Sequence, residues 1–259
     1  MGNLSTLSRS VEGSVVHITG AASGMGRATA MVFADAGARL AISDRSADAL
    51  DAVRAHLRDN GAEVQAFALD VSDQTGIARV TSDIGRLYGG LDVLVNNAGI
   101  SVRTAIDAPD YPDVWRQAMT VLLDAHVHLI RASLPLLRAS KAARIINIAS
   151  TEGLGATPGI APYSAAKHGV IGLTRSLAVE LGPEGITVNC ICPGPIHTGL
   201  TAAIPDDAKA TFARRRVALR RYGDPEEVAH ATLSLALPAS SYITGVALPV
   251  DGGLTIRNA

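Results

Sequence analysis

The sequence of 259 residues predicts a doubly wound α/β domain on a parallel sheet of about seven strands. Three observations carry that expectation. Short apolar runs alternate with amphipathic stretches from one end to the other, a glycine-rich turn joins the first strand to the first helix, and aliphatic side chains supply the core. Hydrophobic residues make up 47% of the chain but aromatics only 3%. Val, Ile, Leu and Ala in that proportion suit strands buried on both faces.

Strands are expected at 15–19, 39–42, 64–69, 93–95, 144–148, 187–191 and 246–250, each short, apolar and bounded by Gly, Asp or Asn. Helical patterns fall between them, from about Arg27 and at 47–60, 74–88, 115–137 and 163–181. This alternation implies right-handed crossovers and a parallel sheet covered on both sides. No repeat, low-complexity segment or linker interrupts it. The least regular stretch, 194–224, is long enough to be a lid over a site.

The charge balance, 23 basic against 24 acidic residues, lacks the clustered basic excess of a nucleic-acid footprint. Cys190 and Cys192 share a strand face, where a disulfide between them would be strained, so they read as small buried hydrophobes compatible with a reducing compartment. Residues 1–13 are polar and lack the apolar stretch of a signal peptide, although Met1-Gly2 followed by Thr6 fits the loose N-myristoylation pattern. No uninterrupted run approaches bilayer length. The expected location is cytoplasmic, with no membrane partner.

The strand at 15–19 runs into Gly20-Ala21-Ala22-Ser23-Gly24-Met25-Gly26. Glycines there permit a tight turn and a close approach of backbone to a ligand, and the following helix N-terminus favours a pyrophosphate. The second strand ends at Asp44, 18 residues after Gly26, where an acid accepts hydrogen bonds from adenosine ribose hydroxyls and repels a 2′-phosphate. That favours NAD over NADP; Arg45, next to it, pulls the other way. The chain is therefore read as a Rossmann-type fold, with an N-terminal arm at 1–12 and one dinucleotide-binding and catalytic domain at 13–259.

These motifs, with those that follow them in order, resemble the short-chain dehydrogenase/reductase family along nearly the whole chain. Thr19-Gly20…Gly24…Gly26 resembles its cofactor turn, and Asp70-Val71 the pair that contacts adenine. Asn96-Asn97-Ala98-Gly99 resembles its motif after the fourth strand. Ser150 with Tyr163-Ser164-Ala165-Ala166-Lys167 resembles its catalytic set. Pro193-Gly194 with Ile196 and Thr198 resembles the stretch flanking the nicotinamide, and Asp251-Gly252-Gly253 fits near the end. The resemblance implies cofactor contacts from Gly20, Ser23, Gly24, Met25, Gly26, Asp44, Arg45, Asp70, Val71, Asn97, Ala98, Gly99, Tyr163, Lys167, Pro193, Gly194, Ile196 and Thr198. It also implies a homo-oligomer, commonly a tetramer, paired through the helices at 115–137 and 163–181 and the C-terminal stretch.

Tyr163 and Lys167, four apart in a helical stretch, lie on one face one turn apart. A nearby ammonium favours the phenolate, so the lysine is expected to lower the phenol toward neutral pH, where it takes or returns the alcohol proton. Ser150, just past the strand at 144–148, is placed to hold the substrate oxygen. In the resemblance, Lys167 also binds the nicotinamide ribose. One position departs from the family, which usually carries an asparagine seven residues after a tryptophan to support a water beside the lysine. Counting from Trp115 lands on Leu122, which offers no hydrogen bond. His126, one turn on, is the first candidate to substitute.

His126 and His128, two apart on a helix, make a poor metal pair, and no metal site is expected. His17 reads as a satisfied core histidine, and His197 as a loop residue or a contact for substrate or cofactor phosphate. Substrate contacts are expected from Ser150, Thr151, Glu152 and His197 and from segments 151–156, 101–103 and 197–221. Arg214-Arg215-Arg216 reads either as an anion site or as a solvated helix face. The expected activity is hydride transfer between NAD(H) and a small-molecule secondary alcohol or ketone. A 3-oxoacyl-thioester reductase and a catalytically impaired dinucleotide-binding homologue are the alternatives.

Overall fold

The computed structural model describes residues 6–257; the Met1-Gly2 pattern lies outside them. Seven parallel strands form one sheet in the order β3-β2-β1-β4-β5-β6-β7. They are β1 (Val15–Thr19), β2 (Arg39–Asp44), β3 (Val64–Ala68), β4 (Val93–Asn96), β5 (Arg144–Ile148), β6 (Thr187–Pro193) and β7 (Ala247–Val250). The helices are α1 (Gly24–Asp35), α2 (Ala47–Asp59), α3 (Gln74–Tyr88), α4 (Tyr111–Met119), α5 (Ala125–Ala139), α6 (Ala161–Leu181), α7 (Asp206–Arg216) and α8 (Pro225–Ala236). The segment expected to be least regular holds α7 and a short 3₁₀ turn, Gly199–Thr201.

Strand alternation divides the core in two. Val16, Ile18, Leu40, Ile42, Val95 and Ile146 face α1, α2 and α8. Val15, Ala41, Leu94, Ile145 and Val188 face α3, α5 and α6. Both layers are aliphatic, as the composition required. β2 and β4 run further than the apolar pattern because polar residues at their carboxyl ends stay in the ladder, and β6 continues through Cys192 and Pro193, which pair with Pro249 and Val250. Ser43 and Asp44 pair with Phe67 and Ala68, and Asn96 pairs with Asn147. Those ends point toward the site.

The helix expected at 115–137 is a rod of 29 residues from Tyr111 to Ala139, with a π turn, Thr120–Asp124, between α4 and α5. It is long and apolar enough by composition to cross a bilayer, where the sequence reading found no such run. Arg116, Asp124 and Arg131 interrupt the apolar stretch in sequence. In the fold the rod buries Ala118, Leu122, Leu129 and Leu137 against the domain. π Turns of this kind often mark functional sites.

His17 in β1 is fully buried. Its Nε2 lies 3.0 Å from Ser43 Oγ, but Nδ1 has no partner among the described residues, so this core histidine is only half satisfied. Burial pushes it down to about 4. His126 in α5 is also fully buried, and burial, then the charge of Lys167, push it down to about 3. Below pH 6.5 the unfolded chain binds protons at both sites and the folded chain does not, so stability falls with pH from there down to about 4 for His17 and about 3 for His126. The expected loss at pH 5 is about 2 kcal/mol per histidine. Urea midpoints at pH 7 and pH 5 check this; glutamine at both positions should flatten the slope.

Candidate active site

The sheet reverses its winding between β1 and β4, and the crevice outside their carboxyl ends is where an α/β sheet accepts a ligand. The turn leaving β1 is stapled to β4. Thr19 Oγ1 accepts the Asn97 and Ala98 amides at 3.0 Å each, and Asn97 Nδ2 donates to the carbonyls of Thr19 (2.8 Å) and Gly20 (3.2 Å). Gly20 and Gly24 hold left-handed backbone, φ +68° and +53°. A Cβ on Gly26 would sit 2.1 Å from the Gly20 carbonyl oxygen. Ser23 caps α1 without a side-chain bond, and the first turn of α1 carries no acid. Its amides therefore face the crevice unneutralised, and this glycine cradle fits the pyrophosphate of a dinucleotide.

Two clefts share this crevice. One, of about 420 Å³, runs from Gly20 past Asp44, Asp70 and Val71 to Gly99. The other, of about 280 Å³, is lined by Ser23, Met25, Gly26, Tyr163, Lys167 and Thr198. Gly20, Asp44, Arg45, Ala98 and Gly99 line both, making one continuous groove. Asp44 is aimed by its neighbours: Oδ2 accepts the Ala22 amide at 3.1 Å and Oδ1 the Ser46 amide at 3.0 Å. Its remaining lone pairs are available to hydroxyl donors. The backbone N–H and then the hydroxyl of Ser72 donate to Asp70 and hold its carboxyl below the usual range.

The inner end of the groove gathers Ser150, Tyr163 and Lys167. Ser150 follows β5 and caps a 3₁₀ turn, Thr151–Gly153, its Oγ accepting the Glu152 amide at 3.1 Å. Tyr163 sits in the first turn of α6 with the Ser150 side chain near enough to its phenol to favour ionisation. Lys167 lies one turn on, 3% exposed, with Nζ 5.7 Å from the Tyr163 ring centroid. The expected effect of the lysine is not what dominates here. Burial raises the phenol above its ordinary value, the Ser150 side chain lowers it and the charge of Glu152 raises it further. Lys167 Nζ donates instead to the Ile148 carbonyl at 2.7 Å, and burial pushes it down to about 8. Desolvation of the phenol outweighs an ammonium engaged elsewhere.

With that geometry in place, the comparisons are specific. The chain matches a family model described as enoyl-(acyl carrier protein) reductase over residues 20–255. The chain belongs to the short-chain dehydrogenase/reductase family. Short-chain dehydrogenases/reductases are oxidoreductases that bind a nicotinamide dinucleotide and act on CH–OH or C=O groups. It is 39% identical over 246 residues to 3-oxoacyl-(acyl-carrier-protein) reductase FabG of Thermotoga maritima, covering 95% of this chain and 99% of that protein. It is 38% identical over 241 residues to meso-2,3-butanediol dehydrogenase of Serratia marcescens, covering 93% of this chain and 94% of that one. The crystal structure of levodione reductase superposes with a TM-score of 0.89 at 31% identity, covering 94% of this chain and 98% of that one.

Not every residue implied by the family resemblance reaches the groove. Thr198 does, but Pro193 and Ile196 are buried behind it, and Gly194 backs onto Asp251, whose Cα lies 2.7 Å from where a Gly194 side chain would begin. His197 is exposed, its ring 5.2 Å from that of Tyr222, and it lines a cleft with Ser23, Gly24 and Thr198. Arg214, Arg215 and Arg216 form the exposed last turn of α7, a solvated face at the helix end that favours cations. Cys190 and Cys192 are buried and unpaired.

Leu122, in the π turn, is fully buried with Val102, Ala118 and Ala166. His126 lies beyond it, feels the charge of Lys167 and has no hydrogen-bond partner for either ring nitrogen among the described residues; the Asn96 backbone faces it without completing a bond. The spacing in sequence found this histidine but not its missing partners. The Ile148 carbonyl that anchors Lys167 left no trace in sequence, because any residue supplies a backbone oxygen.

Proposed function

We propose that this chain oxidises a secondary alcohol, or reduces the matching ketone, with NAD(H) as hydride partner and Tyr163 as general acid/base. The observation that carries the reading is the placement of Tyr163 and Lys167, one helical turn apart, in the wall of a groove that begins at the glycine cradle, with Ser150 beside the phenol. Ser150 Oγ and the Tyr163 hydroxyl grip the substrate oxygen together. In oxidation the Tyr163 oxygen takes the hydroxyl proton; in reduction it returns it. Lys167, held by the Ile148 carbonyl, keeps a cation beside the phenol and the cofactor ribose. The bound nicotinamide supplies the hydride acceptor or donor.

Gly20, Ser23, Gly24, Met25 and Gly26 hold the pyrophosphate with backbone amides, Asp70 and Val71 hold the adenine, and Asn97, Ala98 and Gly99 wall the crevice. Asp44 selects NAD by accepting ribose hydroxyls and repelling a 2′-phosphate, against Arg45 beside it. The reading carries with it a cytoplasmic enzyme, since two buried unpaired thiols suit a reducing compartment, assembled as a homotetramer. A 3-oxoacyl-thioester reductase is the second reading, favoured by the FabG relative. The anionic wall at Asp44 weighs against the NADP that such a reaction usually takes.

The test is a panel of alcohols and ketones with each cofactor, followed by absorbance of the reduced ring. NAD is expected to win in kcat/KM by about tenfold or more, and Asp44→Ala to narrow that gap. A preference for NADP in the unaltered protein would overturn the cofactor assignment.

A further inference from the structure

The loop after β5 sets one acidic side chain against the reacting groups. Glu152 lies two residues past Ser150, its amide donates to Ser150 Oγ at 3.1 Å, and its charge adds to burial in pushing the Tyr163 phenol up. The carboxylate is fixed in place. Thr157 Oγ1 donates to Oε1 at 2.7 Å and Ser164 Oγ donates to Oε2 at 3.3 Å. Ser164 is the residue after Tyr163, so the acid and the phenol are tied to the same turn of α6.

Two hydroxyls orient that charge without neutralising it, and no ion pair reaches Glu152 among the described residues. Arg103 lies instead over Gly159 at the outer end of the same loop, its Nε 3.6 Å from where a side chain would begin. Lys167 is engaged by the Ile148 carbonyl. The carboxylate tied to the Tyr163 turn is therefore an uncompensated acceptor.

Resting on the reading of Tyr163 as acid/base, we propose that Glu152 sets the substrate class: a neutral alcohol or ketone bearing a second hydroxyl, and no carboxylate or phosphate, within one or two carbons of the reacting centre. An ionised carboxylate only accepts hydrogen bonds, and its unused lone pairs suit a substrate O–H. A substrate anion there meets like charge in a partly buried site, where the repulsion is worth about tenfold or more in binding. Glu152 is a specificity residue in this scheme: it acts on the substituent, and through its charge on the phenol.

A matched series tests it: butan-2-ol, butane-1,3-diol, methyl 3-hydroxybutanoate and 3-hydroxybutanoate, with the unaltered protein and with Glu152→Gln. Glutamine keeps partners for both hydroxyls and removes the charge. The unaltered protein is expected to turn over the diol with a higher kcat/KM than butan-2-ol, an advantage E152Q should shrink, and the neutral ester with kcat/KM about tenfold or more above the acid. A diol no better than butan-2-ol overturns the second-hydroxyl part of the class. E152Q should close the ester–acid gap through the KM of the acid, and move the pH profile of ester oxidation to lower pH. Equal use of acid and ester by the unaltered protein, or a gap that survives in E152Q, overturns the substrate class and leaves the hydride-transfer reading standing. No turnover of any of the four with either cofactor overturns both.

Discussion

Tyr163→Phe is expected to lower kcat by about 10³-fold while dinucleotide affinity stays within about twofold, since a general acid/base typically supplies 10²–10⁴. The selectivity of that loss follows from the packing. The ring lies in an apolar cluster with Ala118, Leu122 and Ala166 and keeps those contacts as phenylalanine. The lost hydroxyl leaves Ser150 Oγ still bonded to the Glu152 amide, so the change in stability should stay near 1 kcal/mol. Burial holds the phenol protonated well past neutrality in the protein without dinucleotide. It is ready as an acid for reduction, whereas oxidation needs the ionised form. Oxidation should therefore climb with pH, about tenfold per unit below the phenol's value, and reduction should fall at high pH. Steady-state rates across pH and calorimetric titration of the dinucleotide check both parts. Full activity in the phenylalanine variant would remove Tyr163 from the mechanism.

Much of this site was legible because its residues repeat a spacing with a mechanical cause. The four-residue step from Tyr163 to Lys167 puts them on one helical face, and the glycines after β1 mark a turn that only glycine fits. What was hidden depends on three-dimensional surroundings. The strength of the lysine's effect on the phenol depends on burial and on a carbonyl at Ile148, neither of which leaves a side-chain signature. The apolar runs of β2 and β4 stop before Asp44 and Asn96, yet these polar residues stay paired in the ladder at the crevice end of the sheet. The π turn at Thr120–Asp124 contains no glycine or proline to announce it. Within the motif at Pro193–Thr198, Thr198 lines the groove while Gly194 packs on Asp251, a contact that no spacing in sequence announces.

Gly26→Ala should lower dinucleotide affinity by about 100-fold or more and cost about 1–3 kcal/mol of stability, the range for forcing extra volume into a packed site. The reason is local and severe. The added Cβ would lie 2.1 Å from the Gly20 carbonyl oxygen and 2.4 Å from Asn97 Nδ2. Neither atom can step aside alone, since they are bonded to each other at 3.2 Å and Asn97 also holds the Thr19 carbonyl at 2.8 Å. α1 is pinned from behind by its packing on α8, so the strain must open the turn and carry the helix amides away from the phosphate position. Gly182→Ala makes the control. Gly182 is exposed, its φ is −53°, and an added Cβ meets nothing within 4 Å. That change should leave affinity intact and raise stability by about 0.5 kcal/mol by restricting the unfolded chain. Calorimetric titration and urea melts of the two variants separate the readings. If Gly26→Ala binds the dinucleotide as tightly as Gly182→Ala does, the turn after β1 is not the phosphate cradle.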